Sequence, residues 1–131
     1  MAMLSVQVVT PEREVEVCDD ASLLIAKGIE GDIGIMAGHS PVLVGLGIGP
    51  LVIQREHERD EILVDGGFLQ FKDNRAIVLA EFAALPSELD PQAIDAEVEH
   101  LRARLQQDAD DEQAKRELAR AEAKKGLLRV G

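Results

Sequence analysis

The sequence predicts a small antiparallel β-domain, a sandwich or flattened barrel, followed by an antiparallel helical hairpin. Up to residue 85, short runs rich in β-branched residues recur roughly every 8 to 12 residues with turn signals between them. Beyond Pro86 the apolar residues recur instead at fours and threes, the period of a helix face. At 131 residues there is room for one core and an appendage, and with Phe68, Phe71 and Phe82 as the sole aromatics that core is aliphatic. The expected domains are 1–86 for the β-domain and 87–131 for the two helices.

Leu4 to Val9 alternates apolar and polar residues and stops at Thr10-Pro11, where proline presets a turn. Glu14 to Val17 alternates again. Asp19-Asp20 reads as a polar turn before the apolar run Leu23 to Ala26. Ile33 to Met36 and Pro41 to Leu46 read as short strands hinged at Gly38-His39-Ser40, and Gly31, Gly34 and Gly38 fall where positive φ or a close neighbour is expected. The glycines from Gly45 to Gly49 before Pro50 read as a break. Leu51 to Arg55 then pairs with Glu61 to Val64 across a charged turn, and Asp65-Gly66-Gly67 reads as a further tight turn. Phe68 to Lys72 and Arg75 to Ala80 form the last hairpin, across Asp73-Asn74.

Asp90 caps the first helix with Pro91 at its first position, where the missing N–H is not needed. Ile94, Val98, Leu101 and Leu105 form its stripe. The run 107–111 breaks it, and a second helix from Glu112 carries the thinner stripe Ala114, Leu118 and Ala121. Alanine in place of leucine forgoes about 0.8 kcal/mol per missing methylene, so the second arm is expected to dock weakly and to be able to detach.

A net charge of −11 argues against a nucleic-acid surface, where affinity comes from cations on phosphates. The charge is uneven: 1–86 carries −8, 87–112 carries −7, and 113–131 alone is basic at +4. A lone cysteine, Cys18, forms no internal disulfide and suits a reducing compartment. The first nine residues lack the basic and apolar regions of a signal peptide, and five glycines and two prolines in the uncharged stretch 33–54 disfavour a membrane span. A soluble chain is expected.

Chemistry is hard to find. His39, His57 and His100 lack zinc-site spacing, so no metal or other cofactor is expected. No Lys-Ser or Lys-Thr follows the glycines at 45–49, which excludes a phosphate loop. Ser40 lies beside His39, but neighbours in an extended segment face opposite ways, and no nucleophile elbow is present. No catalytic residue is assigned; the architecture suggests an interaction or regulatory part.

Taken together, Thr10 to Arg13, the G-x-x-G-x-x-x-G-H-x-P run from Gly31 to Pro41, Asp65 to Leu69 and Ile77 to Glu81 resemble the epsilon subunit of bacterial F-type ATP synthases. The resemblance implies a ten-stranded β-sandwich and two C-terminal helices on the central rotor stalk, with no enzymatic activity of its own. It implies gamma and the c-subunit ring as partners, and Gly31, Asp32, Ile33, Gly34, Met36, Gly38 and His39 as the c-ring and gamma interface. Asp32 stands where a longer glutamate is common. The resemblance further implies that the hairpin can extend, so that Arg116, Arg120, Lys124 and Lys125 meet an acidic segment of the beta subunit and restrain ATP hydrolysis. Glu81 and Asp90 are the nucleotide-binding candidates, but the I/L-D-x-x-R-A motif stands here as Leu89-Asp90-Pro91-Gln92-Ala93-Ile94, without its arginine, so weak or no ATP binding is expected. The implied location is peripheral, at the cytoplasmic face of the bacterial plasma membrane. Two alternatives stand beside this reading: a β-sandwich adaptor unrelated to the synthase, and a rotor subunit whose hairpin does not inhibit.

Overall fold

In the computed structural model, residues 3–130 are described, with side chains described for 3–128. Eight strands come first: β1 (Leu4–Val9), β2 (Glu14–Ala21), β3 (Leu23–Gly28), β4 (Gly31–Ile35), β5 (Val42–Gly45), β6 (Ile48–Gln54), β7 (Arg59–Lys72) and β8 (Arg75–Ala84). After a 3-10 turn at Pro86–Glu88 come α1 (Pro91–Gln107) and α2 (Glu112–Val130). The chain divides into two compact units between Leu85 and Pro86. Residues 1, 2 and 131, where the expected domains begin and end and where the signal-peptide reading begins, lie outside the described residues.

Strand order is β2-β1-β8-β7-β6-β3-β4, with β5 also on β7; β1 and β8 are parallel, every other pair antiparallel. Alternation places one face of β1 and of the first part of β8 inside, burying Leu4, Val6 and Val8 and Ala76, Val78 and Ala80, whereas Leu51, Val52 and Ile53 of β6 and Ile62, Leu63 and Val64 of β7 are buried on both faces. Those of β1 and β8 join Leu24, Ile35, Ile53, Ile62, Leu69 and Phe71 in one core. Phe71 alone among the aromatics belongs to that buried cluster, so the core is aliphatic in the main.

Eight strands replace the expected ten because two of them serve twice. β7 pairs with β6 over Arg59–Asp65 and with β5 over Phe68–Phe71, in one continuous register. Leu46 N–H donates to Gly67 O at 2.9 Å and Gly66 N–H to Gly47 O at 3.2 Å, carrying the ladder across the gap between β5 and β6. The predicted turn at Asp65-Gly66-Gly67 is therefore a bend within β7, and the predicted break at 45–49 is the matching bend beside it. Gly66 and Gly67 have φ of +77° and +113°. A Cβ at Gly67 would strike Leu79 O, so no side chain fits between β7 and β8 there. The same positive-φ glycines that close a hairpin here fold one sheet into two facing halves. β8 spans the bend as well, giving ten strand segments from eight strands.

Asp19-Asp20 is not a turn either. β2 continues through both to Ala21, with shifts in its pairing on β1, and the chain turns at Ser22, whose N–H and hydroxyl both donate to Gln54 O. Asp73-Asn74 is the expected two-residue hairpin turn, with φ of +52° and +61°, the left-handed pair that matches strand twist.

Asp90 caps α1 as expected, its Oδ1 accepting from Gln92 N–H at 3.0 Å with Pro91 at the first helical position. Ile94, Val98 and Leu101 are buried against Ala114 and Ala121, with Leu105, Leu118 and Leu128 partly buried beside them. α2 runs through Gly126 without interruption.

Candidate functional site

Three surfaces are candidates for recognition. The glycine-histidine segment forms the first. β4 is an edge strand paired only with β3, so its outer backbone groups lack a strand partner. Asp32 is exposed and lies 3.8 Å from Lys27 Nζ; Ile33 is half-buried; Met36 is 62% exposed. Ala37 and Gly38, the latter at φ +87°, form the turn after β4, and His39 follows it. His39 N–H donates to Met36 O at 3.1 Å, its Nδ1–H donates to Ser40 O at 2.7 Å, and its ring meets Phe71 edge-on at 5.9 Å. The seven predicted residues therefore do not form one cluster. They lie along an edge strand and its exit turn, with roughly 13 Å of strand between Gly31 and Ile35. Gly34 has neither the positive φ nor the close neighbour expected of it: a Cβ there would meet only Leu23 Cδ1 at 3.9 Å.

The second surface escaped the sequence reading. On the outer face of the half built from β2, β1, β8, β7 and β5, Phe68 stands opposite Leu79, and Leu43, Gln70 and Ile77 form the next row. Leu43 is 68% exposed, Leu79 57%, Phe68 56% and Ile77 38%. The side chain of Ile29, itself 74% exposed, lies over Gly45 on the same face. Contiguous exposed apolar surface of this kind marks an interaction site. The signal was the unbroken apolar run Ala76 to Ala80, since a half-exposed antiparallel strand alternates polar with apolar whereas one covered on both faces need not.

At one end of the sandwich, Arg55 lies among Asp20 and Asp60, each at 3.2 Å, with Glu58 at 3.5 Å and Glu16 at 3.9 Å. Its Nε faces Asp20 without the alignment of a hydrogen bond. A side-chain hydrogen bond with Cys18, then the charges around it, hold its pKa above the ordinary value. The guanidinium thus ties β2 to the β6–β7 hairpin and remains charged.

The hairpin is the third surface. Its helices are joined by charge as well as by their stripe: Arg102 reaches Glu122 at 3.5 Å, Lys125 reaches Asp95 at 3.0 Å, and Arg104 bonds both Asp111 at 2.9 Å and Glu117 at 3.3 Å. Asp111 caps α2, its Oδ1 accepting from Ala114 N–H at 3.0 Å. That backbone bond, then Arg104, lowers its pKa below the ordinary carboxylate value. Of the four basic candidates, Arg116 is exposed, Arg120 and Lys124 are half-buried with partners of their own, and Lys125 is held by Asp95. For the nucleotide candidates, Asp90 spends its carboxyl on the α1 cap, and Glu81 projects from β8 beside Gly66. Among the described residues no group of three or more His, Cys, Asp or Glu could hold a metal ion, and no helix is long and apolar enough to cross a membrane.

These features define a class: a β-sandwich with an appended helical hairpin, whose notable sites are surfaces. Residues 3–86 match the family described as ATP synthase, Delta/Epsilon chain, beta-sandwich domain. The chain is 37% identical over 106 residues to the ATP synthase epsilon chain of Brevibacillus brevis, covering 80% of each protein. It is 40% identical over 103 residues to that of Streptomyces avermitilis, 78% of this chain and 82% of the relative. With that of Pelotomaculum thermopropionicum the identity is 39% over 84 residues, 64% of this chain and 62% of the relative. The fold is also that of a chain in the Euglena gracilis mitochondrial ATP synthase (OSCP/F1/c-ring), at TM-score 0.72 and 19% identity over 98% of this chain and 79% of that one. A chain in the Tetrahymena thermophila mitochondrial ATP synthase central stalk and c-ring gives 0.61 and 18%, over 98% and 99%. The chain belongs to the ATP synthase epsilon chain family.

Proposed function

We propose that the chain is a non-catalytic rotor subunit of an F-type ATP synthase, in which the sandwich is the anchor and the hairpin restrains ATP hydrolysis. The observation that carries this reading is the exposed apolar face of Leu43, Phe68, Ile77 and Leu79, a surface suited to a permanent partner. Gamma covers that face, and the loops of the c-subunit ring meet Gly31 to His39 at the β4 edge. Both structural neighbours belong to ATP synthase assemblies with a c-ring, one of them a central stalk, which supports the same partners. The subunit sits peripherally at the cytoplasmic face of a bacterial plasma membrane, held through the complex.

In the folded hairpin Lys125 is engaged by Asp95 and α2 is fastened through Arg104. Extension exchanges those intramolecular pairs for contacts of Arg116, Arg120, Lys124 and Lys125 with an acidic segment of the beta subunit. Like pairs replace like, so the exchange is near-balanced and can be tipped by small changes elsewhere. ATP does not tip it by binding this chain alone, because the motif arginine is missing and the Asp90 carboxyl is already bonded in the helix cap. Calorimetry with ATP tests this point; a micromolar Kd contradicts it.

The main test is ATP hydrolysis by a synthase head depleted of epsilon, with either the whole chain or a version ending at Leu85 added back. The expected result is that both bind and only the whole chain inhibits. If both bind and neither inhibits, the chain is a coupling part without a brake. If neither binds, the rotor assignment fails.

A further inference from the structure

We infer that Asn74 is the positioning residue for the Gly38-His39 turn. The inference rests on the proposed contact between that turn and the c-subunit ring, and it adds a residue 36 positions away in sequence. Gly38 N–H donates to Asn74 Oδ1 at 2.8 Å, the one side-chain bond between the turn and the rest of the sheet among the hydrogen bonds described. Asn74 itself is fixed twice over. It is the second residue of the two-residue β7–β8 hairpin turn, at φ +61°, and its backbone carbonyl accepts from Ser5 N–H at 2.9 Å. The acceptor thus stands on a rigid corner where β1, β7 and β8 meet.

The turn's own supports are one backbone bond, His39 N–H to Met36 O at 3.1 Å, and the packing of Ala37 on the core. Gly38 at φ +87° has nothing within 4 Å of where a Cβ would be, so neighbouring atoms do not press it into shape. His39 is exposed, and its ring rests edge-on against Phe71. Phe71 lies in β7, two residues before the Asp73-Asn74 turn, so the Asn74 bond and the ring contact both come from the same hairpin. Without the Asn74 carbonyl oxygen, Gly38 keeps its left-handed freedom and the edge presented by Met36, Gly38 and His39 loses its fixed form. Asparagine suits the corner because it tolerates left-handed φ and also carries an acceptor; glycine would supply only the first.

The full chain is compared as Asn74→Gly, which preserves the turn but removes the acceptor, and Asn74→Asp, which preserves both. Asp73→Gly serves as a control that alters the turn and leaves the anchor. Amide hydrogen exchange of Gly38 is expected to quicken about fivefold in N74G, as for the loss of one net hydrogen bond. It should return close to wild type in N74D and stay unchanged in D73G, with amides of β6 and β8 unaffected throughout. Binding to a purified assembly of gamma and c-ring lacking epsilon is expected to weaken several-fold in N74G and to recover in N74D. Unchanged Gly38 exchange in N74G overturns the positioning role, whatever the turn binds. Faster exchange with unchanged binding leaves the anchor standing and overturns the assignment of the turn to the ring.

Discussion

The sandwich and the hairpin are stabilised by different forces. Among the described residues the sandwich core gathers eighteen buried side chains, most of them aliphatic, and no polar or charged residue is buried. The hairpin core gathers five, two of them alanines, and is bridged by ion pairs from Arg102, Arg104 and Lys125 whose side chains are 64%, 35% and 39% exposed. Apolar burial is not weakened by charge screening or by the protonation of carboxylates, whereas exposed ion pairs are sensitive to both. One chain thus joins an element held mainly by apolar burial to one held in part by exposed ion pairs.

The largest effect that can break this comparison lies in the sandwich. Leu69→Ala, at a site with no exposure, is expected to cost about 3 kcal/mol, and Gly67→Ala a similar amount through its clash with Leu79 O and its φ. Both appear as a lower urea midpoint of the sandwich transition; a loss under 1 kcal/mol would show that the bend in β7 can relax. Leu101→Ala is expected to cost about 2 kcal/mol of hairpin stability and to leave the sandwich midpoint where it was. Arg104→Gln removes the charged tie to Asp111 and Glu117 and is expected to cost about 1 kcal/mol, read as faster exchange of α2 amides.

A smaller effect comes from pH. Asp111 binds its proton less readily folded than unfolded, because Ala114 N–H and Arg104 favour the carboxylate. Its contribution is present above the ordinary carboxylate pKa and is lost as pH falls through the lowered one. α2 should therefore loosen on acidification below about pH 4, and Asp111→Asn should remove that part of the pH dependence. Arg116→Glu is the smallest, under about 0.5 kcal/mol on hairpin stability, yet it should weaken inhibition of hydrolysis if the exposed arm is what meets the beta subunit.

Much of the fold was legible in the sequence because local signals agreed with the global arrangement. The Asp73-Asn74 turn, the Asp90-Pro91 cap and the stripe Ile94, Val98, Leu101 each have one local meaning. Asp65-Gly66-Gly67 does not: positive-φ glycines close a hairpin or bend a strand, and only the partners on both sides decide which. Asp19-Asp20 misled for a like reason, since Arg55, distant in sequence, compensates acids that would otherwise favour a turn. The ion pairs between the helices were also invisible, because rotamer and helix phase determine which charges meet. Of the candidate surfaces, the glycine-histidine turn announced itself through backbone requirements, while the apolar face was written in Ile77 and Leu79 and looked like more core.

The most direct measurement is amide hydrogen exchange of the whole chain at about 0.05 M and 1 M salt, a range over which the screening length falls from more than 10 Å to about 3 Å. Amides of α1 and α2 are expected to exchange through an opening separate from that of the sandwich, hastened several-fold by salt, while β6, β7 and β8 keep their protection. A single shared opening for hairpin and sandwich, or hairpin protection unmoved by salt, contradicts that expectation.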